Sequence, residues 1–175
     1  MTGFIRSCHV TGKVIRTMLG AALGAALAAL AAAQADAQSG PTGEAGKRVI
    51  GLWRLVGMTA GGQVNPDRGA RATGMILYDS TGYMTVQIMP DRPRKTWAGA
   101  QPTAEEARDT VIGYSAYFGT YKVDEEARTI THIRQGGIQP GPLPDLVRRF
   151  ELVGDNRLIL RPVTTNSELI WERIR

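Results

Sequence analysis

Cysteine is nearly missing from this chain. The single one is Cys8, and residues 38–175 contain none. That part of the protein therefore gains no disulfide support and has no thiol chemistry or thiolate metal ligands. Histidine is almost as scarce, with only His9 and His132, so a metal site built on clustered histidines is not expected. The glycine-rich stretch SGPTGEAGK, residues 39–47, lacks the spacing of a phosphate loop and precedes no strand–helix unit. No Gly-x-Ser-x-Gly elbow occurs, and no spacing points to a Ser–His–Asp triad. After residue 33 no apolar run is long enough to span a bilayer.

The amino-terminal segment accounts for part of the formal net charge of +5. Arg6, Lys13 and Arg16 precede an apolar run, Met18 to Ala33, that ends in small residues with an Ala35-Asp36-Ala37 pattern. This is the layout of a secretory signal peptide, residues 1–37, cleaved after Ala37. The alternative, a retained membrane anchor, suits the run less well, because it is short and alanine-rich. A periplasmic or secreted location follows from the first reading. The remaining domain carries a smaller positive charge, an ordinary surface property that does not point to nucleic acid. Residues 38–47, small and polar, read as a flexible lead-in to one domain at 48–175.

From Val49 on, short β-type runs alternate with turn signals. Strands are expected at Val49–Met58, Thr73–Tyr78, Tyr83–Met89, Tyr114–Val123, Thr129–Gln135, Leu146–Val153, Arg157–Arg161 and Glu168–Ile174. One helix is expected from Thr103, its N-cap, to about Ile112, with Glu106 completing a capping box. The connections alternate between longer and shorter. In an antiparallel meander, alternate connections fall at opposite ends. All the tight hairpins thus gather at one end and all the longer loops at the other. The expected fold is all-β: an eight-stranded up-and-down antiparallel barrel with one short helix between the third and fourth strands, shut at one end and open at the other.

This topology gives a place to the opening stretch VIGLWRLVG. Trp53 falls near the shut end, and pairing of the first and last strands brings Arg173 beside it for a cation–π contact. Gly51 is read as making room for the indole. Both residues are structural in this reading.

The ordered set GLWRL, TGMILYDSTGYMTVQIMPDRP, YFGTYKVDEEARTITH, VRRFELVGDNRLIL and WERIR resembles the bacterial and fungal lipocalin-like domain family. The resemblance covers Gly51 to Arg175 and implies a calycin-type barrel. It implies no catalytic signature. Members often carry a second histidine after the one matching His132; here that position is Ile133, so a role resting on a histidine pair does not carry over.

Alternation within strands nominates the polar residues that enter the barrel. Arg148 shares a face with Leu146, Phe150 and Leu152; His132 and Arg134 share one with Ile130; Tyr117 and Tyr121 share another; the third strand offers Gln87. An inward arginine needs a carboxylate, a buried water or an anionic ligand, since an unpaired buried charge is costly. For Arg148 a carboxylate or water is the plainer partner, and a ligand anion the alternative. His132 reads as a hydrogen-bonded barrel residue or, alternatively, as a catalytic acid/base. Gly61–Arg71 and Met89–Lys95 read as solvated loops flanking the open end. Three functions remain in competition. One is binding of a small, largely hydrophobic or amphipathic molecule, with or without an anionic group and with no cofactor. Another is an isomerase or cyclase using His132 with Arg148 or Tyr117. The third is a non-catalytic envelope or stress domain whose barrel is filled by Phe118, Phe150 and Trp171.

Overall fold

The computed structural model describes residues 40–175; the expected signal peptide lies outside them. The chain forms helix α1 (Glu44–Val49), strands β1 (Gly51–Ala60), β2 (Thr73–Tyr78) and β3 (Tyr83–Met89), and helix α2 (Ala104–Val111). Strands β4 (Ser115–Asp124), β5 (Thr129–Gly137), β6 (Leu146–Val153), β7 (Arg157–Pro162) and β8 (Ser167–Arg173) follow. The eight strands close into one antiparallel barrel in sequence order, with β1 pairing to both β2 and β8.

Period-two burial is clearest in β3. Met84, Val86 and Ile88 are buried, whereas Tyr83, Thr85, Gln87 and Met89 face out. The β2–β3 hairpin turns at Asp79–Gly82. The Asp79 side chain accepts from the Thr81 amide at 2.7 Å, and Gly82 takes a φ of +92°, open to glycine at little cost. Before α2, the Thr103 hydroxyl accepts from the Glu106 amide and the Glu106 carboxylate accepts from the Thr103 amide, the reciprocal cap its sequence predicts.

The lead-in departs from its expected flexibility. Its last residues belong to α1, which lies over the shut end. Val49 is fully buried, and the Gly46 amide donates to Glu125 Oε1 at 3.0 Å. Polarity hid this helix: a six-residue segment shows no apolar period of its own.

Trp53 and Arg173 are register partners across β1 and β8, and the Arg173 guanidinium carbon lies 4.0 Å from the Trp53 ring centroid. The indole N–H donates to the Val49 carbonyl at 2.8 Å. Gly51 has a different task from the one its sequence suggests. A Cβ there would sit 2.5 Å from Arg173 Nη1, so the glycine admits the guanidinium rather than the indole. Above this floor, Tyr78, Tyr121, Ile76, Ile130, Phe150 and Leu158 fill the closed half of the barrel. Phe118, expected among the filling residues, is 54% exposed. Tyr117 takes the inward phase of β4, which turns its neighbour out.

Candidate functional site

The barrel remains open where its longer loops gather. A cavity of about 210 Å³ lies there, bounded by the ends of β1, β4, β7 and β8 and by the β1–β2 loop. Met58, Val86, Ile88, Leu160, Leu169 and Trp171 give it an apolar wall; Arg68, Ser115, Tyr117 and Arg148 give it a polar one. A smaller recess of about 110 Å³ adjoins Tyr117 and Arg148 and is bordered by Arg134.

His132 sits behind this wall with no solvent exposure. Its Nε2 is 2.7 Å from the Tyr78 hydroxyl, and its Nδ1 is 2.9 Å from the Tyr117 hydroxyl and 3.2 Å from Arg148 Nη1. A guanidinium only donates, so Nδ1 is the acceptor. Nε2 therefore carries the proton and donates to Tyr78. The Tyr117 hydroxyl, at the shorter distance, shares the single Nδ1 lone pair with Arg148, and its oxygen is itself within hydrogen-bond reach of that guanidinium.

The imidazole is neutral in this setting. Burial, followed by the Arg148 and Arg134 charges, holds its pKa well below the ordinary 6.5. Burial also raises the pKa of Tyr78 and of Tyr117. For Tyr117 the guanidinium groups of Arg148, Arg134 and Arg68 oppose that rise without cancelling it.

The sequence-nominated residues separate into three places. Arg148, Tyr117 and His132 come together as a unit. Arg134 stands at the rim, its Nε donating to the Pro144 carbonyl at 2.9 Å and its guanidinium 5.8 Å from the Tyr117 ring centroid. Tyr121 and Gln87 lie elsewhere. Tyr121 is inward but belongs to the closed half, packed on Tyr78 at 4.8 Å with its hydroxyl donating to the Asp79 carbonyl. Gln87 is exposed on the outer face of β3, because Val86 and Ile88 hold the inward phase. Arg148 also lacks the carboxylate that its sequence context suggests. Its partners are His132 and the Leu146 carbonyl, and no Asp or Glu lines either cavity.

Two participants escape a reading of the sequence. Arg68 lies in a loop that reads as solvated. There the Asn65 carbonyl accepts from the Arg68 and Gly69 amides, and its side chain accepts from the Asp67 amide, turning the loop back toward the barrel. Arg68 Nη2 then donates to Ser115 Oγ at 2.7 Å. The Asn65-Pro66-Asp67 turn signal was the available clue. Tyr78 is the other. It shares the inward phase of Ile76, which marks it as interior, but only closure of the barrel brings it to His132.

Among the described residues no three His, Cys, Asp or Glu side chains converge as metal ligands. No helix among them is long and apolar enough to cross a membrane. The model of the lipocalin-like domain family matches residues 50–174, and the chain belongs to that family. No curated protein matches it.

Proposed function

We propose that this lipocalin-like domain is an exported binding protein that takes one small molecule into the cavity at its loop-bearing end. The observation that carries this reading is the unequal filling of the barrel. The closed half is packed with large side chains, while the open half retains about 210 Å³ lined by both apolar side chains and polar groups. Such a combination is the usual character of a ligand site. The volume is below the roughly 300–1,000 Å³ of pockets for drug-sized molecules, which favours a compact ligand over a long-chain lipid. Export is supported by the basic and apolar amino-terminal pattern of the sequence.

A catalytic reading is favoured by one observation, the Tyr117–His132–Tyr78 chain. His132 has no access to a ligand, so Tyr117 would be the residue in contact with substrate, its hydroxyl oriented by His132. Binding requires less of the structure and is the conclusion drawn. Native mass spectrometry of protein isolated from its own cell envelope tests it. A bound species of small mass, lost on unfolding, is expected. An empty protein that also binds nothing from a metabolite panel would overturn the reading.

A further inference from the structure

Resting on the binding reading above, we infer that the cavity is an anion site, and that its ligand is a small monocarboxylate with a compact apolar body. The argument starts from charge. Arg68 and Arg148 both line the cavity, and Arg134 borders the adjoining recess. The ion pairs found among the described residues lie on the outer sheet surface, at α1 or in the loops, and none includes these three arginines. Asp67, next to Arg68, is exposed; its charge acts on the guanidinium, but the two form no close ion pair.

Hydrogen-bond capacity is unspent as well. Arg68 Nη2 uses Ser115, but its Nη1 is buried with no acceptor. Arg148 meets His132 and the Leu146 carbonyl through Nη1, with the Tyr117 hydroxyl also in reach, and no carboxylate takes its remaining donors. Like charges gathered in a half-buried space that no carboxylate lines are costly. A planar carboxylate suits the guanidinium fork and offsets that cost. In the same cavity, Val86, Ile88, Leu160, Leu169 and Trp171 offer apolar surface for an apolar body, which an inorganic anion would leave uncovered.

Calorimetric titration of the full chain tests this with matched probes: phenylacetate, benzoate and hexanoate, each against its primary amide, together with inorganic phosphate. At least one acid is expected to bind tenfold or more tightly than its amide and than phosphate. Arg68→Gln, a loop substitution away from the packed closed half, is expected to remove at least tenfold from the acid and little from the amide. Equal binding of acid and amide would overturn the anion site while leaving the binding function intact. So would an acid preference unaltered by Arg68→Gln, or phosphate as the tightest probe. Binding by no probe at millimolar concentration would overturn the monocarboxylate site, and the binding function would then fall only if the protein isolated from its own envelope is also empty.

Discussion

The Tyr117 hydroxyl and His132 Nδ1 are 2.9 Å apart, and this contact joins the cavity to the buried interior of the barrel. On its far side the imidazole meets Tyr78 at 2.7 Å. The two hydroxyls are not equivalent. If Tyr78→Phe is made, the Nε2 proton of a fully buried imidazole loses its acceptor. If Tyr117→Phe is made, Nδ1 still receives Arg148. An unsatisfied buried polar group costs about 1–3 kcal/mol. Urea denaturation is therefore expected to show a loss of that size for Tyr78→Phe and a smaller one for Tyr117→Phe. The reverse order would contradict the assigned tautomer.

The same imidazole makes stability depend on pH. Its pKa is depressed in the folded protein and close to 6.5 when unfolded. Below pH 6.5 the unfolded chain binds a proton that the folded one refuses, so stability falls with acidification. The slope is about 1.4 kcal/mol per pH unit until the folded-state pKa is reached. Asp79, Glu106 and Asp109 have lowered carboxyl pKa values, and their contribution is lost only at more acid pH. Denaturation midpoints measured from pH 7 to pH 5 should decline in the wild type, and His132→Gln should flatten that decline. A flat wild-type profile would be inconsistent with a buried neutral His132.

At the floor, Arg173 reaches the carbonyls of Ile50 at 2.7 Å and Asp155 at 3.1 Å, bonds to that of Arg48, and covers Trp53. A cation–π contact contributes about 0.5–2 kcal/mol, and a charged hydrogen bond about 1.5–3 kcal/mol. Arg173→Ala is expected to cost about 2–4 kcal/mol by chemical denaturation, and Arg173→Lys to recover less than half of it. A lysine keeps the charge but cannot span three carbonyls. Full recovery by lysine would show that charge alone matters there.

Helix α2 stands in the β3–β4 connection on the cavity side of the barrel and depends on its cap. Removing the Thr103 hydroxyl should cost about 1 kcal/mol of local stability. Hydrogen exchange of the α2 amides is expected to speed up several-fold in Thr103→Ala, with the β2–β3 amides unaffected. Equal acceleration in both would mean that α2 unfolds only with the barrel.

The barrel was legible from the sequence because its turns and alternations are local. β2, β3 and β6 fall on their expected residues, and the Thr103–Glu106 cap needs only a three-residue spacing. Closure was readable from the order of long and short connections, and it led directly to the Trp53–Arg173 pair. The site was less legible for a physical reason. Its parts come from β2, β4, β5, β6 and a loop, and their juxtaposition is a tertiary fact. Gln87 and Phe118 were misplaced where strand phase had to be judged residue by residue. Arg68 was hidden because a turn, rather than a strand, aims it at the barrel.

The proposed ligand enters the loop-bearing end of the barrel. An alternative place exists on the outside: an apolar depression of about 370 Å³ bordered by Thr73, Met75, Gln87, Met89 and Ile174. Methyl-resolved NMR separates the two, with phenylacetate as the titrant. Shifts are predicted at Met58, Val86, Ile88, Leu160 and Leu169, which wall the cavity, with Met75 and Ile174 unmoved. Shifts confined to Met75, Met89 and Ile174 would contradict the account.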